Sequence, residues 1–128
     1  MPALEPVEAV RVVAMPAALD EARWIGEDVD VLRIAPDEAL GLGATGADVD
    51  GDPDAIVEPD AGFAVALLAF DDLAAIAAHT DWPLPESDGK VAQGKIAGVP
   101  AKLLIGDPTL VVVQVAYADE LERRLGWR

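Results

Sequence analysis

VAQGKIAGVPAKLLIGDPTLVVVQVAY, running from Val91 to Tyr117, is the stretch whose reading decides the fold. Apolar residues recur at strand spacing in three runs, Val91–Ala97, Pro100–Ile105 and Leu110–Tyr117, and β-branched residues dominate the last of them. The runs are separated only by Gly98 and by Gly106-Asp107-Pro108. Connections that short cannot carry a parallel crossover, so the three strands must be successive antiparallel neighbours.

Working outward, a fourth apolar strand is expected from Phe63 to Phe70. Asp71-Asp72 follow it, where carboxylates favour the start of a helix running through Leu73, Ile76 and Ala77 to His79. Thr80–Gly89, built around Trp82-Pro83-Leu84-Pro85, reads as a loop. Beyond Tyr117 a closing helix is expected from Ala118, with Leu121, Leu125 and Trp127 facing the core and Arg123, Arg124 and Arg128 near its negative end.

The first half repeats the order. Val10–Met15 has the dense apolar spacing of a buried strand, and Pro16 opens a helix whose Leu19, Ala22 and Ile25 share a face before Gly26 ends it. A strand through Val29, Val31 and Ile34, a turn at Pro36-Asp37-Glu38 and a weaker strand at Leu40-Gly41-Leu42 follow. Gly43–Asp60, crowded with acids, Gly and Pro, is expected to be a loop or mobile connector between the halves. Strand-helix-strand-strand thus occurs twice without a sequence repeat. The fold class expected is α+β, a largely antiparallel sheet with helices on one side, ferredoxin-like in its duplicated order.

A chain of 128 residues with 52% apolar content suits one domain spanning 1–128. No apolar run reaches the roughly 18 residues needed to cross a bilayer, and the first residues carry acid where a signal peptide carries base. A soluble, cytoplasmic protein is expected. Cysteine is absent, which removes disulfides, thiolate nucleophiles and zinc–sulfur sites. The net charge of −15 opposes binding to nucleic acids and anionic membranes. The spread of acids, with Lys90, Lys95 and Lys102 as the only lysines, suggests adaptation to high salt.

Motifs for chemistry are sparse. Gly41-Leu42-Gly43-Ala44-Thr45-Gly46 has the glycine spacing of a dinucleotide fold, but the following residues are acids with Gly51 and Pro53 rather than a helix start, so a glycine turn is expected. Asp48, Asp50 and Asp52 alternate like calcium ligands, yet Pro59 stands where the closing glutamate belongs, which leaves a solvated acidic loop. The single histidine, His79, and single serine, Ser87, lie on separate segments with no motif around either. Among the scarce aromatics, Trp82 in its proline-bounded loop is weighed equally as a core residue and as an interface contact.

From Val31 onward the chain resembles the gamma subunit of heterotetrameric sarcosine oxidase, a reduced relative of the folate-binding aminomethyltransferase and glycine cleavage T-protein family. Leu32-Arg33-Ile34-Ala35-Pro36-Asp37-Glu38, Val91–Pro100 and Tyr117-Ala118-Asp119-Glu120-Leu121 carry the likeness. Ala39 stands where that family usually has Trp. The resemblance implies an accessory subunit that performs no catalysis alone, in an oxidoreductase complex that demethylates sarcosine and passes the one-carbon unit to tetrahydrofolate. FAD, FMN, NAD and tetrahydrofolate would be held by flavoprotein partner subunits, and none by this chain alone. Asp37, Glu38, Trp82, Gln93 and Tyr117 are the expected interface or ligand contacts. One alternative is a small stand-alone folate-binding or aminomethyltransferase-like protein using Asp37 or Asp60. A second is a ferredoxin-like small-molecule sensor.

Overall fold

A computed structural model describes residues 2–85 and 87–127, and these form three helices and eleven strands. Backbone contacts divide the chain into two compact units: Val7–Ala61 forms one, and the chain from Gly62 onward, with the residues before Val7, forms the other. The fold is α+β, and every strand pairing with an assigned direction is antiparallel.

The unit beginning at Gly62 holds a five-stranded sheet in the order β1-β8-β11-β10-β9, with β1 Glu5–Val7, β8 Phe63–Leu68, β9 Val91–Ile96, β10 Val99–Leu104 and β11 Thr109–Gln114. The stretch from Val91 builds the expected meander. Ala97 and Gly98 both have positive φ, 49° and 81°, the signature of a two-residue primed turn that matches strand twist, and Ile96 pairs with Val99 across it. Arg124 clamps that turn by donating to the Ala97 carbonyl at 2.6 Å.

Alternation places Ala64, Ala66, Leu68, Leu103, Val111 and Val113 on one sheet face. Helix α2, Phe70–Ala77, brings Leu73 and Ile76 to that face, and α3, Val115–Arg124, brings Ala118 and Leu121. Both helices therefore cover one side of this sheet, as expected. Asp72 accepts from the Ala69 amide at 3.2 Å, satisfying a donor at the start of α2.

Helix α3 starts at Val115, three residues earlier than expected, and β11 stops at Gln114. Val115 and Tyr117 alternate like strand residues, but the Val115 amide donates to the Gly62 carbonyl at 2.8 Å, which closes the pairing with β8. Ion pairs Asp119–Arg123 and Glu120–Arg124, four residues apart, support the helix that follows.

The Val7–Ala61 unit holds a four-stranded sheet, β4-β5-β2-β7, with β2 Ala9–Val13, β4 Asp30–Ala35, β5 Glu38–Leu42 and β7 Ile56–Pro59. A two-stranded ribbon joins β3, Arg23–Ile25, to β6, Gly46–Asp48. Helix α1, Pro16–Asp20, packs Ala18 and Leu19 on Val10, Val12 and Ala39. The helix expected to reach Gly26 thus ends after one turn and a half. Trp24 pairs with Ala47 and its ring lies on Gly41, so strand pairing and aromatic packing override the helical spacing. Residues 43–60 likewise carry β6 and β7 in place of an unstructured loop. Short strands amid Asp, Gly and Pro leave little periodicity to read.

No helix among the described residues is long and apolar enough to cross a membrane.

Candidate functional site

The residues singled out from sequence are divided between the two units. Asp37 and Glu38 lie at the β4–β5 turn of the Val7–Ala61 unit. The Asp37 carbonyl accepts from the Ala14 amide at 3.0 Å, and Asp60, in the same unit, donates its amide to the Ala9 carbonyl at 2.8 Å. Glu38 belongs to a clamp centred on Arg11, a charge in an otherwise apolar strand. Arg11 Nε donates to Glu38 Oε2 at 2.7 Å and Nη1 donates to Glu58 Oε1 at 2.8 Å, bridging β5 and β7 across β2. Hydrogen bonds to Glu38 and then Glu58 hold the guanidinium above its ordinary value. A cation so raised keeps its stabilising charge below the ordinary arginine range and loses it only above that range, so Arg11 stays charged at any practical pH.

Trp82, Gln93 and Tyr117 belong to the other unit. Trp82 is half-buried against its core, and a Cβ on Gly94 would lie 2.5 Å from the indole ring. The indole N–H donates to the Lys95 carbonyl at 2.9 Å. Ring and bond together cover β9, an edge strand whose backbone would otherwise be open to pairing. Gln93 points to the opposite face from Gly94 and lies across from Lys102. Trp82 and Gln93 are therefore near in the chain fold but separated by the sheet. Tyr117 is partly exposed on the first turn of α3.

Of carboxylates 48, 50 and 52, the first two meet at Arg23 and the third turns to backbone amides. Arg23 Nη2 lies 3.5 Å from Asp48 and 3.2 Å from Asp50. Asp52, only 8% exposed, accepts from the amides of Met15 and Asp54, each at 2.9 Å. It ties the start of α1 to the following loop, a role with no signal in the sequence beyond the acid itself. Asp52→Ala is expected to destabilise the protein by about 1–3 kcal/mol by orphaning those amides, with Asp52→Asn milder. Urea unfolding checks this: an unchanged midpoint for the alanine variant would mean that the amides find other partners.

Among the described residues no group of three or more His, Asp or Glu is placed to hold a metal ion. Gly46 opens strand β6 rather than a helix, so the glycine-rich turn presents no helix N-terminus. His79 lies in the turn two residues past α2, where its carbonyl accepts from the Ala97 amide at 2.8 Å. No hydrogen bond joins it to Ser87 among the described residues.

The unit beginning at Gly62 also carries hollows. A cleft of about 470 Å³ is lined by Leu73, Ala77, Leu84 and Ile105, and one of about 220 Å³ shares Leu73 with it and adds Asp107 and Thr109; Asp88 borders both. A further cleft of about 510 Å³ lies between α1 and Arg23 in the other unit.

No known family profile matches the sequence, and no curated protein does. Among solved structures the chain is similar to one in heterotetrameric sarcosine oxidase from Corynebacterium sp. U-96, in complex with pyrrole 2-carboxylate. The TM-score is 0.75 at 12% identity, over 98% of this chain and 80% of that one. The fold is that of a sarcosine oxidase chain. At this identity the likeness concerns the path of the backbone, and the residues that differ are free to serve other chemistry.

Proposed function

We propose that this chain is an accessory, non-catalytic, gamma-like subunit of a sarcosine oxidase-type complex in the cytoplasm. The observation that carries the reading is the likeness along nearly the whole chain to a protein that works as a heterotetramer. The engagement of several chemically capable side chains supports it: Asp52 accepts from backbone amides, Glu38 and Glu58 hold Arg11, and the single imidazole lies in the turn past α2 with no hydrogen bond to Ser87 among the described residues. In this reading flavin, nicotinamide and tetrahydrofolate bind to flavoprotein partners, and this chain supplies docking surface and support.

The test is purification of the tagged chain from its own cells. It is expected to elute with flavin-containing polypeptides in fixed ratio, and when isolated to leave sarcosine unoxidised. Elution as a free monomer without flavin, or turnover by the isolated chain, overturns the proposal.

A further inference from the structure

We propose that the joined clefts beneath α2 seat an apolar side chain of a basic segment on a partner polypeptide. The proposal rests on the accessory-subunit reading and names the surface that would do the docking. Leu73 and Ala77 of α2 form one wall, Leu84 the other, and Ile105 at the end of β10 the floor. Ala74 and Ala77 line the cleft, exposed and small, so a second backbone can approach closely. The hollow is open along its length, which suits a side chain presented on a polypeptide better than a small molecule needing enclosure.

Charge selects the occupant. Asp88 borders both hollows and Asp107 lines the second, both exposed, and no Lys or Arg lines either among the described residues. Neither carboxylate has an ion-pair partner among the described residues. Along the sequence from Asp71 to Gly89 every charged residue is acidic, namely Asp71, Asp72, Asp81, Glu86 and Asp88. An apolar seat with an acidic rim and no basic residue in its described lining complements a leucine-like anchor flanked by Arg or Lys, and repels acidic segments and anionic lipid.

The test is a titration of the isotope-labelled full chain, followed by NMR, with blocked tripeptides. Arg-Leu-Arg is expected to shift the amides of Leu73, Ala77, Leu84, Ile105 and Asp107, while Glu-Leu-Glu and Arg-Gly-Arg leave them in place. Asp88→Lys should weaken Arg-Leu-Arg binding about twofold to fivefold, the worth of one exposed ion pair. Ala77→Gln, at an exposed helical position, should fill the seat and abolish the shifts without altering the melting curve. Equal shifts with Arg-Gly-Arg, shifts spread over the whole acidic surface, or no effect of Asp88→Lys overturn the proposal. Co-purification separates the two readings. If the Ala77→Gln chain retains its flavoprotein as well as wild type does, the groove is wrong and the subunit reading stands. If wild type itself elutes alone, the subunit reading falls and the titration decides the groove.

Discussion

Gly94→Val is expected to destabilise the protein by about 3 kcal/mol, the sum of an overpacking term and one lost hydrogen bond. The cause is a close approach. The Trp82 indole lies against the backbone at Gly94, with Cε2 2.5 Å and Nε1 2.7 Å from where a Cβ would stand, and a valine side chain would have to displace the ring. Displacement also breaks the bond from the indole N–H to the Lys95 carbonyl. A shift of tryptophan fluorescence toward that of exposed indole should accompany the loss. A double-mutant cycle makes the argument specific: in a Trp82→Ala background the clash no longer exists, so Gly94→Val should cost far less there. Equal costs in both backgrounds would mean that the strand, and not the ring, restricts position 94.

The same contact illustrates what a sequence reveals. That Val91–Gln114 forms three antiparallel strands follows from alternation and two short turns, because a strand with one face buried must place apolar residues at every second position. Gly94 looks like a defect in that pattern. Only the three-dimensional neighbour explains it, and Trp82 lies twelve residues away in a loop without periodicity. Helix α2 was equally legible, since Asp72 and the Leu73–Ile76 spacing are local signals. The ribbon of β3 and β6 was not, because three-residue strands carry no period, and Arg23-Trp24-Ile25 happens to continue the helical spacing of Leu19 and Ala22. Val115-Ala116-Tyr117 misled in the opposite direction, prolonging a strand pattern into the first turn of α3.

Candidate sites were harder to read, for a physical reason. Asp37, Glu38, Gln93 and Tyr117 lie in segments similar to a known family, and such short segments report strand and turn geometry before they report chemistry, while Trp82 stands out only as a scarce aromatic in a loop. Glu38 is engaged by Arg11, whose place in the run from Val10 to Met15 was the one available hint: a charge in a buried strand needs a partner. The groove under α2 left no hint of its own. Its walls come from a helix, a loop and the end of β10, each apolar for ordinary reasons of packing.

Two leucines on the five-stranded sheet provide the sharpest contrast in expected effect. Leu103, on β10, is 0% exposed and packs within the cluster formed with α2 and α3. Leu103→Ala should destabilise the protein by about 2–5 kcal/mol and lower its melting temperature by roughly 10 °C, since the atoms removed leave a cavity that surrounding strands cannot fill. Leu67, on β8, points to the other face and is 61% exposed. Its replacement by alanine should change stability by no more than about 0.5 kcal/mol. Side-chain chemistry is identical in the two variants, and both positions lie inside a strand, so propensity cancels and burial alone separates them. Chemical unfolding of both isolated variants checks the difference. Similar losses would mean that Leu67 is covered in solution, and a fold whose apolar groups are sorted by face would no longer account for the five-stranded sheet.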